Sequence, residues 1–341
     1  MVSIREVAER AGVSLGTVSN VLNRPEIVAE TTRQRVQAVI AELGFVRNAS
    51  AHQLRAGRSR HLGLVVLDVT NPFFTEVARG VEDTANEAGY VVILCNSDAS
   101  PEKERRYLRV LEEQRTAGIL ITPVQNEMND LQRLRQQETA LVLLDRTSRA
   151  RDLCSVAVDD VRGGELATSH LLELGHRRIA FVSGPLSIRQ CMERRQGMHR
   201  AIEAAGLDPR QVMIEIPAVA QNAQAGEQCV EALLCHERKP TAAFCANDLL
   251  ALGLMRGLAQ RGIAIPGEIA LIGYDDVEFA SVLSPALSSV RQPKYQLGRA
   301  ATELLLEEIG GVEGHQHRQI VYQPELVVRA STLLARRELV S

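Results

Sequence analysis

The stretch IREVAERAGVSLGTVSNVLN, residues 4–23, decides the architecture of the amino-terminal region. Ser3 lies just before it, and Glu6 follows three residues later, which is the capping-box pattern of a helix start. Gly12 predicts a tight turn, and Ser14 is placed to cap a second helix. Apolar residues fall on one face of each helix: Ile4, Val7, Ala8, Ala11, Val18, Val21 and Leu22. Two short helices joined by such a turn predict a helix-turn-helix, whose second helix is suited to the DNA major groove.

A third helix is predicted to complete a small helical core. It begins near Thr31 and ends at Gly44, and Val36, Val39, Ile40 and Leu43 lie on its apolar face. Residues 51–57, AHQLRAG, then form a short and weakly apolar helical piece before the next domain. Without the third helix, a helical hairpin inside an ordinary globular core would be an equally good interpretation.

Length and charge indicate a basic head on an acidic body. A chain of 341 residues exceeds the size at which single cores stop growing, about 250–300 residues. Residues 1–60 hold nine Arg and five Glu with no Lys or Asp, a balance of +4. Since the whole chain has a net charge of −3, the remainder carries −7. This distribution favours phosphate contact by the head alone, with a corresponding sensitivity to salt.

The six cysteines are scattered at 95, 154, 191, 229, 235 and 245, without a C-x-x-C pair. Several lie in apolar runs, so we expect buried, reduced thiols. The amino terminus has no apolar signal segment, and no run approaches the ~20 apolar residues needed to span a membrane. We therefore expect a cytoplasmic, nucleoid-associated protein.

After residue 60 the sequence alternates between apolar, strand-like runs and amphipathic helices. The predicted strands are 62–67, 91–95, 118–121, 140–144, 155–158, 179–182, 242–245 and 269–272. The predicted helices are 76–87, 102–113, 165–174, 193–205, 249–261 and 297–308. Near-continuous apolar strands separated by helices indicate parallel sheets covered on both faces, and the chain has room for two.

Ligands of open parallel sheets bind beyond the carboxyl ends of the strands, so polar residues that follow strands are candidates for a site. Carboxylates accept hydrogen bonds from vicinal hydroxyls, Arg and Asn donate, and Phe rings cover the apolar face of a sugar. This set suits a neutral polyol; phosphorylated sugars and nucleosides stay open. The candidates are Asn71, Phe73, Phe74, Asp145, Arg146, Arg194, Asn247, Asp275 and Gln292.

Catalytic, metal and nucleotide chemistry have little support. No Ser-His or Cys-His pair is recognisable, and neither a P-loop nor a dinucleotide-binding glycine motif follows the first strand. Asp160, Asp248 and Asp276 follow strands, where helix N-caps are expected. His315 and His317 lie in a polar loop, where we expect solvated side chains rather than a metal site. We expect no catalytic residue, no metal and no cofactor.

The head resembles that of the LacI/GalR family of bacterial transcription regulators, and the resemblance extends along the whole chain. It is carried by residues 4–23, by VAETTRQRVQAVIAELGFVRN at 28–48 and by SAHQLRAGRSRHLGLVV at 50–66. The resemblance implies a homodimer whose paired hinge helices, at about residues 50–56, lie in the minor groove. It also implies that Leu54 is an apolar wedge between base pairs. The expected DNA-binding residues are Ser14, Leu15, Gly16, Thr17, Asn20, Asn23, Arg24, Arg47 and Leu54. Because Gly16 offers no side chain to a base, the operator sequence stays open.

The body is similar to periplasmic sugar-binding proteins. This implies two doubly wound parallel-sheet lobes joined by three crossings, near 159–163, 289–293 and 319–324. The nine candidate residues match the pocket of ribose-binding proteins. The expected domains are a helix-turn-helix domain at 1–46, a hinge helix and linker at 47–60 and a core at 61–341. Within the core, the N-lobe is about 61–160 and 293–320, and the C-lobe is about 161–290 and 323–335.

These observations predict an α/β transcriptional repressor that binds a pseudopalindromic operator as a dimer. A small sugar bound between the lobes, with a ribose-like pentose favoured, would switch it. The alternative is a sugar-binding protein without DNA activity, which the basic head and the missing signal segment disfavour. The third class is a sugar-processing enzyme. It is disfavoured because the sequence shows no recognisable nucleophile or general acid.

Overall fold

The computed structural model describes residues 2–45, 59–124, 129–137, 139–148, 152–311 and 315–333. The chain divides into two compact units, Met1–Ser59 and Arg60–Ser341. The predicted hinge piece, and with it Arg47 and Leu54, lies outside the described residues. No described helix is both long enough and apolar enough to span a membrane.

The amino-terminal unit is a three-helix head. Its helices are α1 (Ile4–Ala11), α2 (Leu15–Asn23) and α3 (Glu30–Leu43), with a 3-10 turn at Pro25–Ile27. The capping box of Ser3 and Glu6 is confirmed, as is the cap in which Ser14 Oγ accepts from Thr17 N–H. Gly12 and Gly44 both adopt left-handed backbone (φ 64° and 60°), which glycine accepts without a steric penalty. The predicted helix-turn-helix is therefore confirmed.

A small apolar core holds the head together. Val7, Val18 and Val36, one residue from each helix, are fully buried, and Val21 and Val39 complete the centre. Because the apolar side chains of each helix are spaced so that they share one face, only that face is buried. The opposite face of the second helix therefore stays exposed.

Two six-stranded sheets form the second unit. The first has the order β11-β5-β4-β3-β1-β2 and is parallel throughout. Its strands are β1 (His61–Val66), β2 (Val91–Asn96), β3 (Gly118–Ile121), β4 (Ala140–Leu144), β5 (Cys154–Val158) and β11 (Gln319–Tyr322). The helices that accompany it are α4 (Pro72–Glu87), α5 (Pro101–Glu113), α6 (Asn129–Gln136) and α12 (Lys294–Gly310). We call this layered body the N-lobe.

The second sheet, in the C-lobe, has the order β12-β10-β9-β8-β6-β7, and only β12 runs antiparallel to its neighbour. Its strands are β6 (Ile179–Ser183), β7 (Met213–Pro217), β8 (Ala242–Cys245), β9 (Ala270–Asp275), β10 (Ser288–Arg291) and β12 (Glu325–Val327). Its helices are α7 (Asp160–Glu173), α8 (Arg189–Ala204), α9 (Pro209–Val212), α10 (Ala223–Leu234) and α11 (Asp248–Gln260). The α/β class with two parallel-sheet lobes is confirmed.

The chain crosses between the lobes three times. It passes from β5 into α7 at Asp159, from β10 into α12 at residues 292–293, and from β11 into β12 at residues 323–324. Each lobe is therefore assembled from separate parts of the sequence.

Three pairs of helices pack through reciprocal glycines. A Cβ on Gly80 of α4 would lie 2.2 Å from Tyr295 O, and one on Gly298 of α12 would lie 2.1 Å from Val77 O. Gly164 and Gly197 make the same kind of contact between α7 and α8, and Gly226 and Gly253 make it between α10 and α11. At each of them an added Cβ would lie 1.8–2.2 Å from a backbone oxygen of the facing helix. Because backbone meets backbone at these contacts, no larger residue fits without moving a helix.

The capping prediction for three aspartates is wrong. Asp159 and Asn247, not Asp160 and Asp248, cap α7 and α11. The displaced aspartates are buried instead: Asp160 pairs with Arg194, and Asp248 accepts from Ser289 Oγ (2.7 Å) and Val277 N–H (2.9 Å). Asp276 pairs with Arg291 and caps none of the described helices.

All six cysteines are free, and five are buried as expected. Cys235 is the exception, because it is exposed at the end of α10 and its thiol contacts Glu231.

Candidate ligand-binding and DNA-binding sites

A cavity of about 470 Å³ lies at the carboxyl ends of the strands, where the two lobes face each other. Strand β4 ends just before Asp145, β8 ends just before the residues leading to Asn247, and β9 ends at Asp275. Seven of the nine candidate residues line it: Asn71, Phe73, Phe74, Asp145, Arg194, Asn247 and Asp275. Its volume is within the usual range for a small-molecule site, ~300–1,000 Å³.

The other two candidates are buried and do not line the cavity. Gln292 is buried and donates from Nε2 to Asp275 Oδ1 at 2.7 Å. Arg146 is 5% exposed and does not belong to the lining. Gln292 therefore positions Asp275, which in turn faces the cavity.

Asp275 is the point at which both lobes and one crossing meet. Its Oδ2 lies 3.4 Å from Asn71 Nδ2 of the N-lobe, and its backbone carbonyl accepts from Lys294 Nζ at 3.0 Å. The backbone has φ 107°, a conformation that L-residues rarely adopt. Burial raises the pKa of Asp275 to about 6, although Arg194, Asn71 and Gln292 act in the opposite direction.

Arg194 is a buried cation held by three kinds of contact. Its Nε donates to Asp160 Oδ1 at 2.8 Å, its guanidinium donates to Ala246 O at 2.6 Å, and it lies over the Tyr274 ring at 3.6 Å. Burial opposes its charge, but the carboxylates of Asp160 and Asp275 raise its pKa above the usual value. The guanidinium is therefore fixed and always charged.

Asn71 and Asn247 each perform two roles. The Oδ1 atoms cap α4 and α11, accepting from Phe73 N–H (3.0 Å) and Leu250 N–H (2.9 Å). This leaves both amide groups turned towards the cavity: Asn71 Nδ2 faces Asp275, and Asn247 Nδ2 donates to Gln221 O at 3.0 Å. The cap thus orients a donor, which explains why an Asn at a helix start lies in a binding site.

Gln190 is a cavity residue that the sequence reasoning missed. It lies on α8 one turn before Arg194, and its Nε2 donates across the lobes to Asp145 Oδ2 and O, both at 2.8 Å. The four-residue spacing from Arg194 places both side chains on one helix face, and that signal could have revealed it. Burial and then Asp160 raise the pKa of Asp145 well above its usual value.

Acidic groups outnumber basic ones in the lining. Asp68 and Asp98 join Asp145 and Asp275, whereas Arg194, which already pairs with Asp160, is the single cationic side chain among the described residues of the lining. Phe73 and Phe74 add an apolar wall, with ring centroids 5.0 Å apart at an interplanar angle of 80°. Val219 and Ala220 lie on the C-lobe part of the lining. The cavity therefore favours a neutral ligand that donates hydrogen bonds and has an apolar face.

The head presents the predicted DNA-reading helix to its surface. Leu15 is 44% exposed, Asn20 is exposed, and a Cβ on Gly16 would meet Ser14 Oγ at an ordinary 3.6 Å. Ser14 and Thr17 are engaged with each other at the cap (2.9 Å), while Asn23 Nδ2 donates to Ser19 O (2.8 Å). Arg24 follows the helix as its C-cap residue and is exposed.

The expectation of solvated histidines near residue 316 is wrong for His315, whose side chain is only 15% exposed, whereas His317 is exposed as expected. His315 Nε2 lies 3.3 Å from Cys154 Sγ and His317 Nδ1 lies 3.8 Å from it, so both rings contact a buried thiol. The contact is also a Cys-His pair, which the sequence did not reveal. Burial raises the pKa of Cys154 to about 11, so its thiol is protonated at neutral pH and is a poor nucleophile.

Known proteins resemble this chain over its whole length. Residues 3–48 match the family described as bacterial regulatory proteins, lacI family, and residues 168–332 match a periplasmic binding protein-like domain. The HTH-type transcriptional repressor PurR of Vibrio atlanticus (strain LGP32) is 38% identical over 338 residues, covering 97% of this chain and 98% of the relative.

Two solved structures are similar in fold. A LacI family transcriptional regulator from Enterococcus faecium with bound ribose is 31% identical, covers 80% of this chain and 98% of its own, and has a TM-score of 0.73. The lac repressor dimer bound to operator and the anti-inducer ONPF is 28% identical, with coverage of 98% and 99% and a TM-score of 0.82. The chain therefore belongs to the LacI family of DNA-binding transcriptional repressors.

Proposed function

We propose that the chain is a dimeric repressor whose affinity for a pseudopalindromic operator is set by a small neutral sugar, with ribose-like pentoses favoured. The observation that carries the sugar proposal is that Asp145 and Asp275, from opposite lobes, line one cavity together with Arg194. Paired carboxylates accept from vicinal hydroxyls, while the amides of Asn71 and Asn247 donate to ring and hydroxyl oxygens. A ligand that contacts both lobes favours their closure.

The charge of the lining argues against phosphorylated sugars and nucleotides. Among the residues that the structure describes, four aspartates and one arginine line the cavity, and the arginine, Arg194, already forms an ion pair with Asp160. A phosphate would therefore be buried beside carboxylates, with no unpaired cation among the described lining residues, which is strongly unfavourable. The similar regulator from Enterococcus faecium was solved with bound ribose, which supports a pentose.

A purine-related ligand is the second candidate, because the curated relatives are PurR repressors. The aromatic residues of the lining fit a purine less well. Phe73 and Phe74 pack edge to face, and the C-lobe part of the lining offers Val219 and Ala220 rather than a second ring to sandwich a planar base.

A thermal-shift screen followed by titration calorimetry would separate the candidates. The panel contains ribose, other pentoses, hexoses, ribose 5-phosphate, hypoxanthine and guanine. We expect stabilisation by a neutral pentose and a change in DNA affinity with the same ligand. A response to purines alone would contradict the sugar proposal and support a purine-related ligand. No response to any member of the panel would contradict both proposals.

For the DNA, we propose contacts by Ser14, Leu15, Gly16, Thr17, Asn20, Asn23 and Arg24 of the domain at residues 1–46. Arg47 and the wedge Leu54 of the connecting segment at 47–60 would add to them. Selection from a random DNA pool should give a site with twofold symmetry. Binding should weaken steeply with salt, by ~0.9 in log K per neutralised phosphate for each log unit of salt. A half-site without its mirror image would contradict the dimer.

Edge strand β2 supports the proposal of a homodimer. It exposes Val91 (61%) and Leu94 (48%), and edge strands with exposed apolar side chains pair readily with another chain. Leu94→Lys should therefore give a monomer in sedimentation velocity and lower operator affinity at the same time. The control is Val282→Lys in the C-lobe, at a residue that is also highly exposed (78%).

A further inference from the structure

A compact group of four ligand-type side chains lies in the N-lobe at the end of the sheet opposite the cavity. Cys154 is the first residue of β5, and Glu308 lies in the last turn of α12. His315 and His317 belong to the segment that leads into β11, which pairs in parallel with β5. We call these four residues the Cys-His cluster. Each offers one ligand atom, and the four atoms all lie within 4.8 Å of one another.

Three of the six separations have the lengths expected for the edges of a coordination tetrahedron, and a fourth is slightly longer. Cys154 Sγ lies 3.3 Å from His315 Nε2 and 3.8 Å from His317 Nδ1. Glu308 Oε1 lies 3.5 Å from the same two nitrogens. Tetrahedral zinc with ligand distances of ~2.0–2.3 Å requires separations of about 3.3–3.6 Å between its ligand atoms. A small movement of the side chains would complete this geometry.

The carboxylate of Glu308 provides an independent indication of a ligand. Its Oε2 accepts from Leu141 N–H at 3.2 Å, whereas its Oε1 is buried and makes no close hydrogen bond among the described residues: the two ring nitrogens lie 3.5 Å away. The Glu308 side chain is only 10% exposed. A buried carboxylate oxygen without a close donor is costly, and a cation between Oε1 and the two ring nitrogens would remove that cost.

Surrounding groups hold the ligand atoms in place. The Arg318 N–H points at Cys154 Sγ at 3.4 Å, which would stabilise a thiolate, and Leu141 N–H fixes the other Glu308 oxygen. His315 Nδ1 lies 4.0 Å from Glu307 Oε2, on the side of the ring away from the cluster. Such outer contacts are typical of metal sites, where they orient the ligands.

We propose that Cys154, Glu308, His315 and His317 bind one divalent transition-metal ion of the zinc class. On binding, the thiol proton of Cys154 passes to the buffer, the thiolate sulfur coordinates the ion, and no oxidation state changes. Four protein ligands leave no open position, so the site is structural and not catalytic. The mixture of one thiolate, two imidazoles and a carboxylate selects zinc or cobalt over magnesium or calcium. This proposal does not depend on the identity of the effector.

The bound ion would connect the carboxyl end of α12 with β5 and with edge strand β11. Residues of α12 and β11 belong to the N-lobe, although the chain reaches them only after leaving the C-lobe. The ion would therefore hold the last-added part of the N-lobe to the rest of its sheet.

The test is metal binding by tag-free, full-length protein that has been treated with a chelator and exchanged into metal-free buffer. We expect one Zn²⁺ per chain in equilibrium dialysis. Co²⁺ should give the strong visible absorption of a tetrahedral site, together with a near-ultraviolet band from thiolate coordination. Zn²⁺ should raise Tm by at least about 3 °C when present well above its Kd.

Variants make the result specific to these residues. His317→Ala removes a ligand whose side chain is 32% exposed, so the fold should survive while the Zn²⁺ affinity falls at least about tenfold. Cys154→Ser should abolish the near-ultraviolet cobalt band. The matched control is Cys235→Ser, which removes an exposed thiol of the C-lobe and should change none of these signals. Wild-type protein without the cobalt spectrum, or Zn²⁺ affinity unchanged by His317→Ala, would overturn the proposal.

Discussion

Asn71 Nδ2 lies 3.4 Å from Asp275 Oδ2, although the two residues are 204 positions apart and belong to different lobes. The contact joins the cap of α4 to the end of β9, across the cavity. A ligand that replaces or extends this hydrogen bond interacts with both lobes at once. The change in the free energy of DNA binding that the ligand causes cannot exceed the difference between its binding free energies for the two arrangements of the lobes. Such coupling is typically ~1–3 kcal/mol.

Asp275→Asn should abolish the response to the effector and leave operator binding without effector close to that of the wild type. The substitution directs an amide donor at Gln292 or Asn71, which are themselves donors, and removes the acceptor for ligand hydroxyls. Titration calorimetry with ribose and a gel-shift assay measure the two effects. The control is Asp83→Asn on α4, a half-buried aspartate that does not line the cavity. A wild-type response in Asp275→Asn would mean that the pocket is assigned wrongly.

The affinity for a neutral sugar should fall by about tenfold between pH 7 and pH 5. Burial raises the pKa of Asp275 to about 6, and hydroxyl groups bind the ionised carboxylate, so protonation competes with the ligand. The raised pKa affects folding in the opposite direction. Its contribution to the free energy of unfolding is fully present below pH ~4 and is lost as the pH rises through about 6. Calorimetry at both pH values tests the first statement, and a Kd that does not change with pH would contradict it.

Gly298→Ala should destabilise the core by about 1–3 kcal/mol, because the new Cβ would lie 2.1 Å from the carbonyl oxygen of Val77. Gly310 in the same helix is the matched control. A Cβ there meets nothing within 4 Å among the described residues, so Gly310→Ala should be neutral or stabilise by up to about 1 kcal/mol. Urea unfolding of both variants measures the difference. Equal stabilities would show that α4 and α12 can separate without cost.

Asn20→Ala should cost about 1–3 kcal/mol of binding to the selected operator and should leave binding to random DNA nearly unchanged. The residue is exposed on α2, where its amide can pair with an adenine edge. Gln37→Ala, at an exposed position of α3, is the control. Fluorescence anisotropy on both DNAs checks the prediction, which fails if the two affinities fall together.

The sequence predicted the fold well wherever a pattern was local. Fully buried strands such as β3 and β8 are short apolar runs, and their predicted bounds are those observed. Strand β7, with alternating buried and exposed residues, was missed, as were the short strands β10, β11 and β12. Their identity depends on neighbours in the sheet that are distant in sequence, which periodicity does not report.

The candidate cavity was predicted from residues that follow strands, because the topology of a parallel sheet fixes where those residues lie. Relations between distant segments were not accessible in the same way. Asp145 meets Gln190 across the lobes, and His315 meets Cys154 from 161 positions away. Neither pair leaves a spacing pattern in the sequence. The assignment of helix caps also failed by one residue at Asp160 and Asp248, since adjacent polar residues compete for a cap that only the backbone geometry decides.

The three crossings also determine when each lobe can be completed during translation. When the ribosome has finished β10, the first sheet still lacks its edge strand β11 and the helix α12 that packs against α4. The N-lobe is thus the first to be started and cannot be finished until residue 322 has left the exit tunnel. Until then a growing chain exposes the apolar side chains that α12 will cover, while the C-lobe sheet lacks only β12. The nascent N-lobe is therefore the part that most needs protection by chaperones during translation.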